Sequence, residues 1–133
     1  MVRAADLSPA AGHRVTREDL LARAGIEPGV LADLEQHGLI RAGAGGFYDH
    51  EAVQIASTVR AMAEHGLEAR HLRPFRVAAD REVGLVEQAA VAAPRQGDRD
   101  EVVRELAALS VTLHTLLVKV GLRDGVGNPV SSR

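Results

Sequence analysis

Four side chains close in sequence, Arg70, His71, Arg73 and Arg76, are the best placed to hold a charged ligand. Guanidinium groups on adjacent helical turns can clamp a carboxylate or phosphate through paired hydrogen bonds. The same stretch carries Glu68, Asp80 and Glu82, so a solvated face with local ion pairs is the competing reading. Phe47, Tyr48, Met62 and Phe75 form a second candidate, an apolar pocket for a small molecule. Rings and a methionine at such spacing describe plain core equally well.

Metal chemistry and catalysis find little to work with. His65 with His71, or His50 beside Asp49 and Glu51, are the nearest metal-like groupings. None has the i, i+4 spacing that presents two ligands on one helical face. The chain has no cysteine, which removes thiolate zinc sites, disulfides and a thiol nucleophile. His37 and His65 fall in the last turns of expected helices, where partial positive charge offsets the dipole. Ser57, Ser110 and Thr112 lack a nucleophile-elbow setting, and the Gly43–Gly46 run is not a phosphate-binding loop. No enzymatic activity, metal or cofactor is expected.

Composition narrows the partners. Net charge is −2, whereas a nucleic-acid-binding domain usually carries a clear basic excess. Aromatics make up only 2% of the chain, too few for a surface that stacks on single-stranded bases. Lys119 is the one lysine among 16 basic residues, a bias that fits a GC-rich bacterial coding sequence. No window approaches the roughly 18 consecutive apolar residues of a membrane span, and the N-terminus lacks the apolar core of a signal peptide. A cytoplasmic protein without membrane contact is expected.

The elements that must position these side chains are helices. Residues 1–14 show no periodicity and read as a linker entered partway through a larger protein. Thr16 with Asp19 is a near capping box, Leu20, Leu21 and Ala24 are the buried side of a first helix, and Gly25 closes it. Pro28 opens a second helix with Val30, Leu31 and Leu34 facing inward, and Gly38 stops it. Leu39-Ile40 and Phe47-Tyr48 are expected to be the two strands of a small wing around Gly43, Gly45 and Gly46. Asp49 caps a third helix, with Ala52, Val53, Ile55, Ala56, Val59, Met62 and Ala63 on its inner side.

Beyond Gly66, Pro74 predicts either a short helical turn with a restart or a kink, and helix then continues to about Ala92. Residues 94–100 read as a second linker. Val102, Leu106, Leu109, Leu113, Leu116 and Val120 then recur at the 4, 3, 4, 3, 4 spacing of a coiled-coil seam, on a helix expected over residues 101–122. Residues 123–133 read as a disordered tail.

The order of pieces from Val15 to Phe75, within a domain read over residues 15–93, resembles the DNA-binding domain of MerR-family transcriptional regulators. The resemblance is carried by the Gly25 turn, Leu31, the run Leu34 to Ile40, the wing exit Gly46-Phe47-Tyr48-Asp49 and the helix end Ala63 to Leu67. More narrowly, residues 16–123 are similar to the C-terminal domain of a group of actinobacterial MerR-type regulators. The string from Glu64 to Arg76 is the most specific match. This resemblance implies an all-α domain: a degenerate winged helix-turn-helix with a vestigial two-strand wing, followed by long association helices.

Where MerR proteins carry arginines on the second helix, this chain has Gly29 and Ala32, and the wing is shortened and lacks its arginine. Glu27, Asp33 and Glu35 put three carboxylates on that helix, which opposes binding to phosphates. The expected role is therefore a dimerisation and regulatory domain, with DNA bound through an upstream domain. A homodimer joined through the Val102–Val120 seam is expected, since MerR operators are two-fold symmetric. The Arg70–Arg76 face is the candidate site for a small-molecule or protein effector, with a solvated, locally ion-paired face as the competing reading. The alternatives are a free-standing DNA-binding winged helix using Arg14, Arg17, Arg41 and Arg60, and a small-molecule-sensing pocket domain.

Overall fold

Side chains able to cap a helix set the starts of two of the α-helices. The computed structural model describes residues 14–126. Among them lie five α-helices: α1 (Arg17–Ala24), α2 (Pro28–Gln36), α3 (His50–Ala63), α4 (Arg73–Ala90) and α5 (Gln96–Val126). Two 3-10 turns, Ala44–Gly46 and Ala69–His71, join α2 to α3 and α3 to α4. The expected N-terminal linker up to His13, and the tail from residue 127, lie outside the described residues.

Thr16 caps α1 by accepting from the Asp19 N–H at 3.1 Å, and Asp49 caps α3 by accepting from the Ala52 N–H at 2.9 Å. Each satisfies one of the donors a helix N-terminus leaves unpaired. Gly25 ends α1 at φ 68°, in the left-handed region that costs other residues a steric penalty.

The described chain divides into two compact units, residues 14–80 and 81–126, with the division falling within α4. The first unit is closed. Leu20, Leu31, Leu34 and Ala56 have no exposed surface, and Val15, Ile40, Tyr48, Val53, Val59 and Leu72 pack around them. Val30 and Ile55, expected inside, are each more than one-third exposed at the edge of this core.

The two-strand wing does not form. The Gly43 N–H donates to the Phe47 carbonyl at 2.7 Å, and the Gly46 N–H to the Gly43 carbonyl at 3.1 Å. That tight turn leaves Leu39-Ile40 no register against Phe47-Tyr48. Tyr48 instead exchanges two 2.8 Å backbone bonds with Val15, an isolated antiparallel bridge. Among the described residues the fold is helical throughout.

Pro74 sits at the second position of α4, after the Ala69–His71 turn. There its missing N–H would have no intrahelical acceptor, so the helix restarts without a kink.

The second unit consists of the end of α4 and α5. The expected linker over 94–100 shrinks to residues 91–95, because α5 starts at Gln96, just after Pro94. The Arg99 Nε donates to the Ala93 carbonyl at 2.9 Å and holds this corner. Helix α5 also runs through Gly121 to Val126, past the expected stop. A glycine inside a helix costs only about 1 kcal/mol relative to alanine, and the apolar and basic residues around it carry the helix on. Val86 and Ala90 of α4 are buried, and Glu82 Oε1 lies 3.3 Å from His114 Nδ1 of α5.

The Gln96–Gly125 segment of α5 contains an 18-residue window of mean hydropathy 1.4, long and apolar enough by length and composition to cross a membrane. The run is not continuous, because Ser110, Thr112, His114, Thr115 and Lys119 interrupt it without lowering its average far.

Candidate functional site

The most conspicuous unsatisfied chemistry lies on α5, whose two halves differ. Val102, Val103, Leu106 and Val111 are half-buried. From Leu113 through Asp124 every residue is exposed, including Leu113 at 58%, Leu116 at 51%, Leu117 at 61% and Leu122 at 58%. A helix apolar on so much of its circumference is normally buried. The expected seam is thus split: Val102 and Leu106 find cover within the chain, whereas Leu109, Leu113, Leu116 and Val120 do not. Full burial of a Leu or Val side chain contributes about 1.5–3 kcal/mol, so this surface can drive association.

The cationic cluster does not converge. Arg70 pairs with Glu68 at 3.3 Å, both well exposed, and Arg76 pairs with Asp80 at 2.7 Å one helical turn on. His71 completes a reciprocal cap: its Nδ1 accepts from the Glu68 N–H at 3.0 Å, and the Glu68 side chain accepts from the His71 N–H. Arg73 is exposed on the first turn of α4. Glu82, counted among the local acids, faces His114 instead. Arg76 keeps one loose end, a buried Nε without a hydrogen-bond partner.

The aromatic set is divided between places. Tyr48 is 5% exposed, and its hydroxyl donates to Glu35 Oε2 at 2.8 Å. Burial, and then the Glu35 carboxylate, push this phenol above its ordinary pKa, against an opposing pull from Arg17. The Arg14 guanidinium lies 5.3 Å from the centre of the Phe47 ring, a cation–π contact. Met62 and Phe75 line an apolar groove between α3 and α4 with Ile55 and Leu72. Tyr48 and Phe47 have no part in that groove.

One cleft escaped sequence reasoning. It is formed by the Gly25–Glu27 turn, α2, the end of α3 and the Ala69–His71 turn. Its residues are scattered over 46 positions from Gly25 to Arg70 and come from separate elements, so only the fold brings them together. Among the described residues no group of three or more His, Asp or Glu side chains could hold a metal ion.

A family model for the Rv1828-like C-terminal domain matches residues 13–126. The chain is 48% identical over 119 residues to the uncharacterized HTH-type transcriptional regulator Rv1828 of Mycobacterium tuberculosis. The same identity and extent hold for the uncharacterized HTH-type transcriptional regulator Mb1859 of Mycobacterium bovis. In both cases the match covers 85% of this chain and 48% of the relative, so the chain spans about half the length of these relatives.

Proposed function

Because the chain belongs to the family of Rv1828-like C-terminal domains, we propose that it is the dimerisation and regulatory domain of a MerR-type transcriptional regulator. It acts inside the cell, joins two regulator chains and leaves DNA reading to a domain elsewhere in the parent protein. It performs no covalent chemistry.

The exposed apolar half of α5 carries this reading. Four seam positions, Leu109, Leu113, Leu116 and Val120, repeat at 4, 3 and 4 residues and remain uncovered. That repeat is the pattern by which one helix packs along a copy of itself. The delegation of DNA binding is supported by charge: α2 and its N-cap carry Glu27, Asp33 and Glu35 and no Lys or Arg. Counterion release by cations supplies most duplex affinity.

Sedimentation equilibrium over a range of concentrations tests the proposal. A dimer is the expected result, and Leu109→Asp with Leu113→Asp converts it to monomer. A monomer at every concentration, or a dimer untouched by the double substitution, overturns it. Flotation with lipid vesicles checks the hydropathy of α5: co-flotation of the native chain would assign that face to a membrane instead.

A further inference from the structure

The cleft beside Gly25 has a volume of about 470 Å³, within the size range of small-molecule sites. Ile26, Val30, Val59 and Ala63 supply apolar surface, drawn from three elements. The charges around it are of two kinds. Glu68 and Arg70 neutralise each other at 3.3 Å. Arg60, Glu27 and Asp33 also line the cleft, yet none of them enters an ion pair among the described residues. One cation and two carboxylates therefore stand around an apolar floor, too far apart to pair with one another.

The Arg60 guanidinium lies beside the Gly25 turn, where a Cβ would sit 3.5 Å from it, in ordinary van der Waals contact. On α2, the Asp33 carbonyl accepts a hydrogen bond from His37 Nδ1 at 2.8 Å. The Asp33 carboxylate itself enters no ion pair among the described residues.

We propose that this cleft binds a small zwitterion with an apolar side chain, of the hydrophobic amino acid class. Its carboxylate meets Arg60, its ammonium meets Asp33 or Glu27, and its side chain lies on Ile26, Val30 and Val59. A simple anion would face two carboxylates, and a simple cation would face Arg60. A ligand carrying both charges on an apolar body offers a partner to Arg60, to one of the two carboxylates and to the apolar floor. The site lies within residues 25–70 and owes nothing to α5, so it does not rest on the dimerisation reading.

The test is a titration of the isotope-labelled chain with L-phenylalanine and L-leucine, followed by amide NMR. Phenethylamine lacks the carboxylate and N-acetyl-L-phenylalanine lacks the ammonium; both serve as controls. Saturable shifts confined to residues 25–37, 59–63 and 68–70 are expected with the amino acids. Removing either charge from the ligand weakens binding about tenfold or more, and so does Arg60→Met, or Glu27→Gln combined with Asp33→Asn. These substitutions lie at exposed positions, and an unchanged amide spectrum of the free variant confirms its fold. Absence of saturation at millimolar amino acid, or equal binding of the controls, overturns the proposal. The Leu109→Asp, Leu113→Asp chain should bind as the native one does.

Discussion

Residues 14–80 and residues 81–126 solve the problem of burying apolar surface in opposite ways. The first unit gathers short helices around Leu20, Leu31 and Leu34, so almost every large aliphatic in its centre is enclosed by its own chain. The second spends 31 residues on one helix, α5, and leaves its last turns bare. A helix of that length extends about 46 Å at 1.5 Å per residue, and α4 cannot cover it. The difference teaches that one unit encloses its apolar side chains within the single chain, whereas the other leaves an apolar surface open to association.

The largest expected effect falls on the open unit. Leu109→Asp with Leu113→Asp should weaken self-association by at least about 100-fold, or roughly 3 kcal/mol. The melting of residues 14–80 should hardly change. Sedimentation and thermal unfolding on the same sample separate these outcomes.

The closed unit should respond in the converse way. Leu34→Ala removes a side chain with no exposed surface and should lower unfolding stability by about 3 kcal/mol, read by urea denaturation. Pairing through α5 should survive. Loss of the dimer in this variant would show that the two regions are not separable.

Two glycines sharpen the contrast further. Gly25→Ala forces a Cβ into a left-handed position at φ 68° and should cost about 1–2 kcal/mol. Gly121→Ala, inside α5 with open space around it, should instead stabilise by up to about 1 kcal/mol. Opposite shifts in melting temperature are expected, and shifts of the same sign would break the comparison.

The smallest effect belongs to Tyr48, the one tyrosine in the chain. Tyr48→Phe removes its bond to Glu35 and should cost about 1 kcal/mol. The raised pKa means that the folded state holds this proton more tightly than the unfolded state does. Its contribution is complete below pH 10.0, the unfolded value, and is lost as pH rises through the higher folded value. Native stability should fall in that alkaline range, and the part of the fall due to Tyr48 should be missing in the phenylalanine variant. The phenolate absorbance of the native chain reports the titration directly.

Much of the fold was legible because it is local. Thr16 and Asp49 cap helices through hydrogen bonds that reach three residues, and Gly25 ends one through its own backbone torsion. The wing failed for the opposite reason. Tyr48 takes a bridge partner in Val15, 33 positions away, and no local pattern could announce it. Residues 91–95 turn within a span shorter than the polar run suggested, because PRQGDRD contains residues that start a helix as readily as they end one. The candidate sites divide along the same line. The apolar repeat of α5 was readable from periodicity alone, while the pairing of Arg70 with Glu68 and of Arg76 with Asp80 appears only in the fold.

By itself the sequence determined the helical class, the caps, the long apolar repeat of α5 and the unfavourable charge of α2 toward DNA. Each depends on residues a few positions apart, or on totals that folding does not alter. Tertiary structure decided which apolar residues remain bare, which charges are already paired, and that Gly25, Asp33, Arg60 and Arg70 share one cleft. Those outcomes depend on distances between elements far apart in the chain, and packing sets such distances only once every helix has found its neighbours.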